Sequence, residues 1–153
     1  GVFGLFILAY YNLIGASFNS VTFGIIFCML CTANSGSHPG NVWPIMLGYV
    51  VGSFGFSWIS QLAGGNYAMT INAQAIAIGL CFANGLSPIC SKYGWFAGMI
   101  SAVMHFLLVT SVPNMHGGFC LYNGGFTAAV ICVLLVPVLE KCVKTKAEKS
   151  AAK

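Results

Sequence analysis

The sequence predicts an all-α fold, a polytopic transmembrane helical bundle, and three observations carry the prediction. Hydrophobic residues make up 58% of the 153 positions and charged residues only 5%, with a mean hydropathy of +0.88. A water-facing domain needs roughly 25% charged residues to hydrate its surface. No Asp, Glu, Lys or Arg occurs before Lys92, and long uncharged apolar stretches are what a bilayer accepts and water does not. Finally, clusters of turn-forming residues cut the apolar sequence into pieces near the length of a membrane crossing.

Six apolar segments follow from those breaks. The first spans about Val2–Ala16 and the second about Phe18–Ala33. The turn cluster Asn34-Ser-Gly-Ser-His-Pro-Gly-Asn41 separates them from the third, about Val42–Leu62, which is long enough for a full crossing at 1.5 Å per residue. After Ala63–Tyr67 comes the fourth, about Ala68–Leu86. A loop over Ser87–Gly94 leads to the fifth, about Trp95–Val112, and Pro113–Asn123 leads to the sixth, about Gly124–Leu139. Backbone polar groups in hydrocarbon must be satisfied within the segment, so each run is a helix unless the chain closes a barrel. These runs are too long and too uniformly apolar for alternating barrel strands. The transmembrane domain is thus expected over residues 1–139, with a Lys-rich tail over 140–153. The chain opens on Gly-Val-Phe-Gly, which predicts a piece of a longer protein.

Charge fixes the expected orientation. Lys92 stands alone, and Glu140, Lys141, Lys144, Lys146, Glu148, Lys149 and Lys153 crowd the tail. Lysine-rich loops stay cytoplasmic, and two crossings separate Lys92 from the tail, so both charge sites and the C-terminus are expected in the cytoplasm. The tail itself reads as a solvated, frayed end, or as one weakly drawn to anionic headgroups. Nothing in it interleaves aromatics with bases, so no nucleic-acid partner is expected. Seven cysteines are an odd number lying in or near apolar runs, and Cys28–Cys31 has no companion pair. No disulfide framework, metal site or cofactor is expected.

Catalytic constellations are likewise not found. There is no Asp, both Glu residues are in the tail, and neither a Ser-His-Asp triad nor a phosphate-binding loop can be assembled; the chain is not expected to be an enzyme. What the apolar runs do carry is uncharged polarity: Asn12, Asn19, Asn72, Gln74, Asn84 and Asn123. Phe18-Asn19-Ser20 and Tyr122-Asn123-Gly124 open the second and sixth segments alike. Asn is a good N-cap, and capping alone accounts for both. The functional alternative is a pair of short or re-entrant half helices whose N-termini aim polar groups at a central cavity. His38 and His116 sit in turn-rich loops, as solvated turn residues or as pore-mouth groups together with Asn41. His105 lies inside the fifth segment, and an intramembrane ionisable residue is a functional candidate by default, with a neighbouring-helix contact as the alternative. Gly48, Gly52 and Gly55 fall three or four apart and predict a helix-packing face.

Several phrases occur in order: His38-Pro-Gly-Asn41 with Pro44-Ile-Met-Leu-Gly48, Gly85-Leu-Ser-Pro-Ile89, Lys92-Tyr-Gly-Trp-Phe-Ala-Gly98, His116-Gly-Gly118 with Leu121-Tyr-Asn-Gly-Gly-Phe126, and Pro137. Together they resemble the C-terminal part of the domain of unknown function 1576 family of bacterial multi-pass membrane proteins. The resemblance covers nearly all of the chain except the tail and implies a location in the bacterial cytoplasmic (inner) membrane. The Asn-Gly-type helix starts are also similar to those of urea-transporter-like folds, a likeness of fold alone. The function expected is a transporter or channel subunit for a small neutral or polar solute, since uncharged amides hydrogen-bond a solute without trapping an ion. The alternative is a non-transporting scaffold or assembly partner. Expected partners are the lipid bilayer, an N-terminal part of the same protein and a second copy of the chain.

Overall fold

A computed structural model describes residues 1–65, 70–115 and 124–151, without the side chains of 113–115. Helices α1 (Val2–Leu13) and α2 (Ser20–Cys31) are short, and α2 continues as a 3-10 turn over Thr32–Ser35. Helix α3 spans Pro39–Leu62. Helix α4 (Gln74–Ala83) passes through a 3-10 turn at Asn84–Leu86 into α5 (Ser87–Tyr93). Helices α6 (Trp95–Met115), α7 (Gly124–Cys142) and α8 (Lys146–Ala151) complete the chain. Among the described residues four helical stretches are long and apolar enough to cross a membrane: Pro39–Leu62, Gln74–Tyr93, Trp95–Val112 and Gly124–Ala151.

The expected loop over Ser87–Gly94 is instead the last third of the second of these stretches. Pro88 sits in the first turn of α5, where its missing N–H removes no helical hydrogen bond. The connection to α6 shrinks to Gly94, whose φ of +110° is open to glycine at no steric cost. The start of α3 matches its sequence signal: Pro39 occupies the first turn, His38 Nδ1 accepts from the Gly40 amide at 3.1 Å, and Asn41 Oδ1 accepts from the His38 amide at 2.8 Å. This reciprocal cap satisfies helix-end donors that have no intrahelical partner.

Close contacts define how the helices run. Trp43 stacks on Trp95 with ring centroids 5.9 Å apart, Gly48 lies against Met99 and Ala102, and Gly52 against Phe106. These pairs advance together, so α3 and α6 are parallel neighbours. Between α4–α5 and α6 the order reverses: Gly79 faces Val109, and Gly98 faces Cys90. One end of the bundle therefore gathers the starts of α3 and α6 with the end of α5. There Ser37 Oγ lies 2.9 Å from Ser87 Oγ, Asn41 Nδ2 donates to Ser91 Oγ at 2.9 Å, and Lys92 pairs with Glu140 at 3.1 Å. Lys92 and the tail, expected on one side of the membrane, thus share one end of the bundle, and the Asn34–Asn41 loop lies there with them.

The glycine stripe is shorter than expected. A Cβ on Gly48 would stand 2.7 Å from the Met99 carbonyl oxygen, and one on Gly52 2.9 Å from the Phe106 ring, but one on Gly55 would have nothing within 4 Å among the described residues. Past Gly52 this face of α3 is no longer covered by α6, and Phe54, Trp58, Ile59 and Leu62 are exposed. Val133 on α7 is 73% exposed and Trp58 64%. Water would penalise such a surface, whereas lipid accepts it.

The tail differs from a frayed end. Helix α7 runs through Leu139 to Cys142 without a break. The Thr145 amide and hydroxyl both donate to Glu148 Oε2, at 2.7 and 3.0 Å, and the Glu148 amide donates back to Thr145 Oγ1 at 3.2 Å. That box caps α8, which folds back against α5 and lays the Lys146 stem against Gly94.

Candidate functional site

The first described residue of α7, Gly124, lies inside the bundle: it is pressed against Phe82 of α4, and its carbonyl oxygen lies 2.9 Å from Nε2 of His105. His105 is ten residues into the 21 residues of α6, so Gly124 lies about halfway along its neighbour. Three helices meet there in one buried polar node. Tyr49 Oη from α3 lies 2.6 Å from His105 Nδ1. Thr127 Oγ1, one turn into α7, lies 3.0 Å from His105 Nε2 and donates to the Gly124 carbonyl at 2.9 Å. His105 and Tyr49 are fully buried, and Thr127 nearly so.

A carbonyl oxygen only accepts, so Nε2 carries a hydrogen and donates to Gly124. Among the described residues no carboxylate takes part, and burial away from compensating charge favours the neutral ring. In that form Nδ1 accepts from the Tyr49 hydroxyl, and both nitrogens are committed. The Tyr49 ring, edge-on to Phe106 at 5.5 Å, is held in place by packing as well.

A second polar group lies at the same height. The antiparallel contacts of α4–α5 with α6 place Asn84 opposite the turn that carries His105. Asn84 opens the 3-10 interruption between α4 and α5, a turn that touches α3, α6 and α7. Its Nδ2 donates to Thr32 Oγ1 and, at 3.5 Å, to the Met29 carbonyl at the end of α2. Asn84 is fully buried, yet its Oδ1 has no hydrogen-bond partner among the described residues. Leaving such an acceptor unmet costs about 1–3 kcal/mol.

The other expected site residues are dispersed. Asn19 is exposed and caps α2, its Oδ1 accepting from the Val21 and Thr22 amides at 3.0 Å each. Val21 lines a groove with Ile78 of α4, so α2 begins beside the first turns of α4 rather than halfway along it. Capping accounts for Asn19 at this end of α2, whose other end meets Asn84 at mid-height; Asn19→Ala should lower stability by about 1 kcal/mol, checked by thermal unfolding in detergent. His38 and Asn41 are occupied in the cap of α3 at the Lys92 end. Asn12, Asn72 and Gln74 are exposed, away from the node. His116 and Asn123 lie outside the described residues. Tyr49, Thr127 and Thr32 are partners that the sequence reading overlooks. Their signal is weak, because hydroxyl residues are common in membrane helices. Still, a Tyr near packing glycines in an apolar run is a candidate for burial, and a buried Tyr hydroxyl needs a partner.

Fold and site together define a class: an all-helical bundle with apolar spans and an uncharged polar layer at mid-height, the architecture of a multi-pass membrane protein. Within that class the chain belongs to the family described as protein of unknown function (DUF1576), whose model matches residues 1–141. No curated protein and no solved structure matches the chain.

Proposed function

We propose that the protein is a permease or channel subunit for a small neutral or polar solute, without enzymatic activity, whose pathway passes the mid-height layer of His105 and Asn84. The observation that supports it is the buried, uncharged polar layer halfway along the bundle, where His105 meets Gly124 and Thr127 of α7 and Asn84 lies at the same height. Polar groups inside an apolar bundle are functional candidates by default, and uncharged ones suit a pathway for a polar solute. The Oδ1 of Asn84, unmet among the described residues, adds an acceptor suited to a solute N–H or O–H, and the absence of Asp, Glu, Lys and Arg before Lys92 suits a solute without net charge. The closed hydrogen bonding of the His105 node favours a second reading, a scaffold in which the same groups join helices.

Flux of uncharged solutes of graded size into proteoliposomes containing the full protein separates the two. Uptake above empty vesicles, reduced in Asn84→Ala at equal protein incorporation, supports the pathway. No uptake of any solute, beside a stable complex on purification, supports the scaffold.

The proposed setting is a bacterial inner membrane with the C-terminus in the cytoplasm, as the lysines of that end favour. In intact cells a single cysteine at Ser91 should resist a membrane-impermeant thiol reagent until the membrane is opened, while one at Gly65 should react at once. These measurements use a background in which the native cysteines are replaced. Reaction of both from the same side would sink the orientation.

A further inference from the structure

We propose that the Lys92 end of the bundle holds a site for the headgroup of an anionic phospholipid, with the phosphodiester on Lys92. The proposal stands on the multi-pass fold and is independent of whether the protein transports a solute. A cleft of about 480 Å³ opens there between the start of α3 and α5, lined by Ser35, Gly36, Asn41, Ser91 and Lys92 among others. Among the described residues no carboxylate lines it. Ser91 Oγ accepts from Asn41 Nδ2, so its hydroxyl hydrogen remains to donate, and the Ser35 side chain is exposed beside it. One ammonium and two hydroxyl donors around an open cleft match a phosphodiester, which offers only acceptors.

The ion pair at the cleft wall is built to be exchanged. Lys92 and Glu140 meet at 3.1 Å with side chains 51% and 55% exposed, and pairs in that setting contribute little. Glu140 lines the neighbouring cleft, also about 480 Å³, with Lys141, Lys144 and Glu148. Glu148 is occupied in the α8 cap, so neither acid of the tail stands in the lysine cleft. The stacked, half-exposed Trp43 and Trp95 lie at this same end, and tryptophans gather at the headgroup level of membranes. That position selects a lipid phosphate over a free one: the ligand is already concentrated in the plane where the cleft opens. Docking of α8 on α5 keeps Lys146 at that plane instead of letting it drift into solvent.

The test is lipid retention by the purified full protein, read by native mass spectrometry and by thermal stability in phosphatidylcholine nanodiscs with graded phosphatidylglycerol. Phosphatidylglycerol should be retained in preference to phosphatidylcholine. Lys92→Gln should weaken that retention about fivefold, the factor one lysine near an anionic surface supplies. Glu140→Gln should strengthen it, because the competing carboxylate is gone. Both positions are exposed, so neither variant threatens the fold. Equal retention of the two lipids by the wild type overturns the site. So does undiminished preference in Lys92→Gln, with loss only when Lys141, Lys144 and Lys149 are all replaced by Gln, which assigns the effect to diffuse attraction by the tail. Equal stabilisation by inorganic phosphate assigns the cleft to a free anion and overturns the lipid reading.

Discussion

Replacing Gly48 by alanine should destabilise the protein by about 3 kcal/mol, the upper end of the range for overpacking a filled interior. The added methyl would stand 2.6 Å from Ala102 Cβ and 2.7 Å from the Met99 carbonyl oxygen. Neither can move aside, because one is the shortest of side chains and the other is helix backbone. Relief requires α3 and α6 to separate. Those two helices are parallel and in contact over half their length, so separation also loosens Tyr49 against His105. For a chain of this size about 3 kcal/mol corresponds to a fall of roughly 6–12 °C in Tm, read by thermal unfolding in a mild detergent. Gly55→Ala is the internal comparison. It lies on the same helix with nothing within 4 Å among the described residues, and its Tm should stay within about 1–2 °C of the wild type, since a Gly-to-Ala change in a helix with room for the methyl is at worst neutral. Equal losses at the two positions would contradict the packing described for α3 and α6.

Removing His105 should be comparably damaging. His105→Ala opens a cavity between three helices and leaves the Tyr49 hydroxyl without its acceptor. Cavity and orphaned donor together amount to about 3 kcal/mol. Tyr49→Phe takes away a single hydrogen and oxygen, leaving Nδ1 an unmet acceptor, and should cost about 1–2 kcal/mol. In the double variant the losses should fall short of their sum by about 1 kcal/mol, within the range seen for hydrogen bonds between membrane helices. Strict additivity would show that Tyr49 and His105 do not interact. Because the imidazole is neutral with both nitrogens engaged, His105→Gln should recover part of the loss through its amide, which both donates and accepts.

Much of this architecture is legible in the sequence, for physical reasons that differ between elements. The third and fifth segments read true because a long uncharged run has one stable state in lipid. The start of α3 reads true because Ser-His-Pro-Gly-Asn is local chemistry: a fixed φ at Pro39 and side chains long enough to reach back. The Ser87–Gly94 stretch misleads because serine, proline and lysine together resemble a loop, whereas Pro88 is harmless in a first helical turn and Lys92 lies at the membrane edge. The aromatic-Asn-small start of the second segment is a sound local signal for a helix N-terminus, since Asn19 caps α2. It carries no information about depth, which is set by the neighbours a helix meets: Ile78 near the start of α4 for the first turn of α2. For the same reason His105 is conspicuous in the sequence while Tyr49 and Thr127 are not. A titratable ring inside an apolar run announces itself, but hydroxyls that reach it from helices 56 and 22 residues away do not.

The functional reading turns on the polar layer of His105 and Gly124 lying at mid-membrane, and depth can be measured directly. A nitroxide attached at Gly125, an exposed position with room for a side chain, reports its depth through the ratio of collisions with oxygen and with a water-soluble nickel complex in reconstituted vesicles. The expected depth is near the bilayer centre, matching a label at Leu107, two residues past His105 on the exposed side of α6. A value matching a label at Ser91, at the Lys92 end, would place the layer at the membrane surface and contradict the functional reading.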